Sequence, residues 1–159
     1  MMKKVFFDSS VLFSAVNSPT GGSAKLFTLT DINKIVSKVV LTEVERNVRN
    51  KLLNYHLDRF FLLVEKLEIV DLPIDKGLVK KTEEIIVKKD AVILMQAKKA
   101  KPDFLVTLDK KHFLQEKVIN FMQPAKVLTP KDLLQIIERK IWHSSARQET
   151  SYLNPELNL

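Results

Sequence analysis

Four acidic residues are spaced so that an α/β fold could gather them, and their chemistry suggests a metal ion. Asp8 and Asp109 each follow directly after a short apolar run, while Asp90 begins a helical pattern and Glu43 lies near the start of another. Carboxylates brought together repel one another and raise each other's pKa unless a cation offsets their charge. Oxygen ligands without cysteine or paired histidines suit a hard ion, so these residues predict a site for Mg²⁺ or Mn²⁺.

Each acid also has a simpler structural explanation. Asp8 and Asp90 could cap helices, Glu43 could be a first-turn acid favoured by the helix dipole, and Asp109 could be a turn residue. For Asp8 and Asp109 this explanation is less complete. An acid directly after a buried strand points into the crevice where open α/β sheets form their sites.

The apolar pattern predicts the elements that position these acids. Short apolar runs predict strands over 5–7, 67–70, 104–108 and 126–129, separated by helical patterns. The segment 35–41 is ambiguous, because its β-branched residues fit one strand as well as a strand followed by a helix. Short apolar strands separated by helices predict an α/β three-layer sandwich, with a central parallel sheet of about four to five strands and helices on both faces.

The helix that carries Glu43 has two candidate starting points. Thr42 and Glu45 have the spacing of a capping box, which favours a start at Thr42. Ser37 is the other candidate N-cap, and a helix beginning there would place Glu43 further inside it. The residues alone leave both starts open.

Composition bounds the class of protein. The chain has 159 residues, no cysteine and a formal net charge of +7. No apolar run approaches the roughly 20 residues of a membrane-spanning helix, and the N-terminal apolar stretch meets Asp8 too early for a signal peptide. We therefore expect a cytoplasmic protein with no membrane anchor. The positive charge is compatible with an anionic partner, although a lysine-rich solvated surface explains it as well.

We expect one domain over residues 1–142 and a polar C-terminal tail over 143–159. The tail contains one Arg and two Glu, so the positive charge belongs to the domain. Tyr152, Leu153 and Leu157 are the apolar residues by which the tail is expected to pack on a neighbouring copy.

Five local motifs resemble, in order, those of the PIN-domain family. The resemblance spans about residues 3–138 and is closest to the branch of toxin components from toxin–antitoxin systems. The fourth motif, with Asp109 after a buried strand, is the most specific of the set. The motifs are VFFDSSVLFSA at 5–15, TEVERNV at 42–48, DAVIL at 90–94, FLVTLDKKHF at 104–113 and LTPKDLL at 128–134.

The resemblance implies a PIN-like nuclease domain that acts as a Mg²⁺- or Mn²⁺-dependent endoribonuclease, leaving a 5′-phosphate and a 3′-hydroxyl. By residue match, Asp8, Glu43, Asp90 and Asp109 would hold one or two ions. Thr107 would orient a water, a metal or a carboxylate. The resemblance also implies a homodimer and a small antitoxin protein as partner.

The resemblance sharpens several further expectations. It favours Ser37 as the start of the third helix, which places Glu43 about one turn in. Many family members have Asn where this chain has Ser10, and the shorter side chain is expected to lose a hydrogen bond to the substrate or to a carboxylate beyond the metal ligands. Asp103 is interpreted as structural, since it stands at the opposite end of its strand from Asp109.

Basic residues beside the acids are expected to meet RNA phosphates. Lys110 and Lys111 follow Asp109, and Lys89 precedes Asp90. Such contacts supply affinity without sequence specificity. His112 is expected to have a rim or packing role rather than to bind metal.

Other readings of the acidic pattern are weaker or remain open. A haloacid-dehalogenase phosphatase needs a second Asp two residues after the first, where this chain has Ser10. A receiver domain needs adjacent acids after its first strand, and Asp8 stands alone. The open alternative is a catalytically inactive PIN-like module that binds nucleic acid or a protein partner.

Overall fold

The computed structural model describes residues 2–140 and contains one parallel five-stranded sheet. The expected tail over 143–159, with its contact through Tyr152, lies outside the described residues. Each strand pairs with its neighbours in parallel, in the order β3-β2-β1-β4-β5. The strands are β1 (Lys3–Phe7), β2 (Ile32–Ser37), β3 (Glu68–Val70), β4 (Phe104–Val106) and β5 (Lys126–Leu128).

Helices lie on both sides of the sheet, which confirms the predicted α/β sandwich. An eighth helix, α8, begins at Pro130 and continues to the last described residue. No helix in residues 2–140 is long and apolar enough to cross a bilayer. The other helices are α1 (Ser9–Asn17), α2 (Gly22–Thr28), α3 (Lys38–Lys51), α4 (Tyr55–Val64), α5 (Lys76–Glu83), α6 (Lys88–Ala100) and α7 (Glu116–Met122).

The central strands are buried on both faces. Val5, Phe6 and Phe7 are fully buried, although successive side chains of a strand point to opposite faces. Phe7 packs against Phe27 of α2, with ring centroids 4.7 Å apart. A parallel sheet covered by helices requires such continuous apolar runs rather than an alternating pattern.

The strand order places a crevice between β1 and β4. From β1 the chain proceeds outward to β2 and β3, then returns to the other side of β1 to form β4 and β5. Ligand sites of open α/β sheets form at such a reversal, beyond the carboxyl ends of the strands. Asp8 and Thr107 are the first residues after β1 and β4, so both stand at the crevice.

Two element boundaries differ from the sequence prediction. Helix α6 begins at Lys88, so Asp90 lies in its first turn and is not its cap. An acid is favoured in the first turn by the helix dipole, which explains why the sequence could suggest either position. Strand β4 ends at Val106 instead of Leu108, because the backbone N–H of Leu108 donates to the Ser10 hydroxyl at 3.0 Å and leaves the ladder.

The start of α3 is at Ser37, as the family resemblance favoured. The Ser37 hydroxyl accepts a hydrogen bond from the Val40 backbone N–H at 3.2 Å. Thr42 lies inside the helix, where its hydroxyl donates to the Lys38 carbonyl. The segment 39–41 is therefore helical, and the cap places Glu43 in the second turn.

We expect Ser37→Ala to lower the free energy of unfolding by about 1 kcal/mol, because it removes the N-cap of α3. Urea unfolding followed by circular dichroism measures the change. Thr42→Ala is the control, since its exposed hydroxyl caps nothing, and it should change stability by less than about 0.5 kcal/mol. Equal losses in the two variants would contradict the assignment of the cap.

Candidate active site

Asp8 is held in the crevice by three hydrogen bonds. Its Oδ2 accepts from the hydroxyls of Thr107 at 2.5 Å and Ser10 at 2.8 Å. Its Oδ1 accepts from the Ser10 backbone N–H at 3.2 Å, so Asp8 is also the N-cap of α1. The capping role and the crevice position are thus compatible, because one carboxylate serves both.

Ser10 connects the carboxyl ends of β1 and β4 through hydrogen bonds. Its hydroxyl donates to Asp8 and accepts from the backbone N–H of Leu108. Thr107 makes a parallel link, since its hydroxyl donates to Asp8 and accepts from the Asp109 backbone N–H at 3.0 Å. The serine that replaces the family's common Asn therefore retains a hydrogen bond to the first carboxylate.

Asp109 is fixed by the turn that follows it. The His112 backbone N–H donates to Asp109 Oδ1, and His112 Nδ1 lies 2.9 Å from Asp109 Oδ2. His112 Nδ1 is also 3.9 Å from Asp90 Oδ2. From the sequence, His112 is expected to have only a rim or packing role. The turn instead brings its ring against two of the predicted acids.

Asp90 contributes a buried oxygen without a hydrogen-bond partner. The residue is 8% exposed, and its Oδ2 accepts no hydrogen bond from any residue in 2–140. Buried polar atoms are nearly always paired, so an unpaired carboxylate oxygen needs a physical explanation. A cation beside it would supply one.

The donor set fits a divalent ion. One ligand atom from each of Asp90, Asp109 and His112 lies within 4.8 Å of the others. The set contains two carboxylate oxygens and one imidazole nitrogen, with Asp8 close enough for its charge to act on Asp90. Carboxylate oxygens suit Mg²⁺ and Mn²⁺ as ligands.

Glu43 is hydrogen-bonded to the residue that follows Asp8. Its Oε2 accepts from the hydroxyl of Ser9, the residue after Asp8, at 2.7 Å. The structure therefore brings together three of the four predicted acids and connects Glu43 to them through Ser9.

The carboxylates differ in their proton affinity. Burial raises the pKa of Asp8, although hydrogen bonds from Thr107 oppose this. Burial and the neighbouring carboxylates raise the pKa of Asp90 to about 6. Asp109 is the opposite case. Burial favours a higher pKa for Asp109, but hydrogen bonds from the backbone and ring of His112 hold this pKa below its usual range.

Three exposed lysines lie next to the acids along the chain, and Asp103 lies away from them. Lys110 and Lys111 are exposed in the turn after Asp109, and Lys89 is exposed in the first turn of α6. Asp103 stands at the other end of β4, where its Oδ2 accepts from the Lys4 backbone N–H at 2.8 Å.

Comparisons with known proteins agree with this architecture. The family model of the PIN domain matches residues 5–117 of this chain. A chain in the crystal structure of VapBC2 from Rickettsia felis is 18% identical to this chain, with a TM-score of 0.59. In that structure VapBC2 is bound to a DNA fragment from its promoter. That match covers 79% of this chain and 96% of the other.

The crystal structure of PAE2754 from Pyrobaculum aerophilum is similar in fold, at 12% identity and a TM-score of 0.59. The match covers 86% of this chain and 90% of that one. Comparison with curated proteins finds no significant match. Because the family match covers most of the sequence and the fold agrees, the chain belongs to the PIN-domain family.

Proposed function

We propose that the protein is a metal-dependent endoribonuclease and the toxin of a toxin–antitoxin pair. The observation that carries the proposal is the unpartnered, buried Oδ2 of Asp90 beside Asp109 at the sheet's topological reversal. Membership of the PIN-domain family supports nuclease chemistry at that position.

Asp8, Glu43, Asp90 and Asp109 would hold one or two Mg²⁺ or Mn²⁺ ions. A bound divalent ion supplies a nucleophilic water and neutralises charge on the phosphate that is attacked. The low proton affinity of Asp109 suits this role, because a ligand carboxylate must be ionised.

Thr107 and Ser10 act as positioning residues in this proposal. Both hydroxyls donate to Asp8 Oδ2, which leaves Oδ1 free of side-chain donors. The Thr107 hydroxyl also accepts a hydrogen bond from the Asp109 backbone N–H, so one buried hydroxyl connects the Asp8 carboxylate with the backbone of Asp109. Small displacements at such a point are costly, because reacting groups must be aligned closely.

Lys110, Lys111 and Lys89 would contact RNA phosphates on either side of the carboxylates. Their side chains are exposed near a cluster that is itself negative. Such lysines attract the backbone and offset its repulsion from the carboxylates without selecting a sequence.

The partner proposals come from the family resemblance and from one neighbour. VapBC2 from Rickettsia felis was crystallised with a fragment of promoter DNA, which supports a toxin–antitoxin context for this fold. We propose by analogy a small antitoxin protein as partner, together with a homodimer and a cytoplasmic location.

The test is cleavage of a labelled single-stranded RNA with EDTA, Mg²⁺ or Mn²⁺. We expect endonucleolytic products only with a metal, and each product should carry a 5′-phosphate. Cleavage in EDTA would contradict metal dependence. RNA binding without cleavage under any metal would favour the alternative, an inactive PIN-like binding module.

We expect Thr107→Val to lower the cleavage rate roughly 10- to 100-fold, because it removes the hydroxyl that aligns Asp8 with Asp109. The substitution keeps the volume of the buried side chain. The effect should fall on kcat more than on KM, measured under multiple turnover. Thr107→Ser retains the hydroxyl and should restore most of the rate, and a Ser variant as slow as Val would contradict the positioning role.

A further inference from the structure

A second groove lies beside the carboxylates, between α3 and α6. The irregular segment 71–74 forms its third wall, and its volume is about 560 Å³. This volume falls within the roughly 300–1,000 Å³ of typical small-ligand sites. Glu43 lines the groove, which makes it continuous with the candidate active site.

Two cations on the groove are available to an anionic ligand. Arg46 and Lys89 are exposed, and neither has a carboxylate within 4.0 Å among residues 2–140. By contrast, the third cation, Lys38, is paired with Asp71 at 3.0 Å. Unpaired guanidinium and ammonium groups are the usual partners of phosphate oxygens.

Gln96 adds a hydrogen-bond acceptor to the same groove. The residue is 2% exposed, and its Nε2 donates to the Leu72 carbonyl at 3.3 Å. This contact sets the orientation of the amide, since a reversed amide would place two oxygens against each other. The other amide atom, Oε1, has no hydrogen-bond partner among the described residues. A buried acceptor of this kind is rare in folded proteins and suits a ligand that brings a donor.

We propose that the groove binds one nucleotide of the RNA next to the phosphate that is cut. The phosphate lies on Arg46 and Lys89, and the base packs between the exposed side chains of Val39 and Ile74. The inference rests on the proposed nuclease function, because it takes RNA as the substrate. It adds a base-reading position to contacts that otherwise read only the backbone.

The free acceptor determines which bases fit. One hydrogen of Gln96 Nε2 donates to the Leu72 carbonyl and the second remains available, whereas Oε1 has no partner at all, so the site requires a donor from the base. Cytosine offers its amino group and uracil its N3–H to this acceptor, whereas a uracil methylated at N3 has no donor to offer. The irregular segment 71–74 must shift to admit the base, since Oε1 is covered in the free protein.

An RNA nucleotide explains the groove better than an apolar peptide segment. A peptide would cover Val39 and Ile74 but would leave Arg46 and Lys89 without counter-charges. It would also leave Oε1 unpaired unless it carried a donor at the same depth. The nucleotide satisfies the cations, the apolar walls and the acceptor together.

The test is binding of two short single-stranded RNAs, an all-uridine oligomer and the same oligomer built from N3-methyluridine. Fluorescence anisotropy in EDTA measures Kd without requiring cleavage. We expect the protein to bind the unmethylated oligomer about 2- to 10-fold more tightly, which is the ratio that one hydrogen bond supplies. Gln96→Met should bring the ratio to about one.

Charge variants provide a second test that does not depend on a buried substitution. Arg46→Gln and Lys89→Gln should weaken both oligomers equally, and each should lower the slope of log Kd against log salt by about one. Lys3→Gln is the control, because Lys3 lies at the amino end of β1, at the other end of the strand from Asp8. It should change neither quantity.

Three results would overturn the inference: no preference for the unmethylated oligomer, a preference that survives in Gln96→Met, or RNA binding unchanged by Arg46→Gln. The last result would indicate that a protein partner, and not RNA, occupies the groove. Because binding is measured without metal, failure to cut RNA contradicts the nuclease proposal alone. Normal cleavage with no contribution from the groove contradicts this inference alone.

Discussion

Asp109→Asn is expected to lower the rate of RNA cleavage by about 10³-fold or more, equivalent to about 4 kcal/mol of barrier. The variant removes the charge of the carboxylate that His112 keeps ionised. It should still fold, because the amide oxygen can accept the same hydrogen bond from the His112 backbone N–H. Single-turnover cleavage in Mn²⁺ measures the loss.

Asp103→Asn is the matched control for this variant. Asp103 precedes the same strand, accepts one backbone hydrogen bond and stands at the opposite end from Asp109. We expect it to cleave at the rate of the unmodified protein. Full activity in Asp109→Asn, or equal losses in the two variants, would contradict the assignment of the site.

Asp90→Asn is expected to stabilise the metal-free protein while abolishing cleavage. Burial raises the pKa of Asp90 to about 6, from a value near 3.8 in the unfolded chain. The ionised carboxylate therefore weakens the fold above pH 6, and the penalty disappears as the pH falls from about 6 to about 4. A shift of this size corresponds to roughly 2–3 kcal/mol at neutral pH.

Thermal unfolding in EDTA tests this expectation. At pH 7.5 the Asn variant should melt several degrees above the unmodified protein, and the difference should shrink near pH 4. Mn²⁺ should raise the melting temperature of the unmodified protein more than that of the variant, since only the former has the charge to be offset. A variant that melts lower at pH 7.5 would show that the Asp90 carboxylate is not destabilising.

The layers of the fold could be predicted from the sequence because burial on both faces leaves a clear signature. The runs at 5–7 and 104–106 are apolar at every position, which only a covered parallel strand requires. Helix α7 was not predicted, although Val118 and Met122 are buried at helical spacing. Its seven residues are too few for a strong periodic signal.

The candidate site was predictable where an acid follows a strand and less so where it depends on a turn. Asp8 and Asp109 were placed by their strands, and the register of β1 with β4 brings them to one crevice. The contact of His112 with Asp109 depends on the turn after β4, whose geometry a single sequence does not determine. The unpaired oxygens of Asp90 and Gln96 depend on three-dimensional surroundings and have no signature in sequence.

The most direct test of the metal-dependent nuclease is a crystal of the protein soaked in Mn²⁺. Anomalous scattering at the manganese edge locates the ion without reference to activity. We predict a peak within ligand distance of Asp90 Oδ2 and Asp109 Oδ2, on the side of Asp8. Absence of a peak there at a Mn²⁺ concentration that supports cleavage, or a peak only at another site such as Asp103, would contradict the proposal.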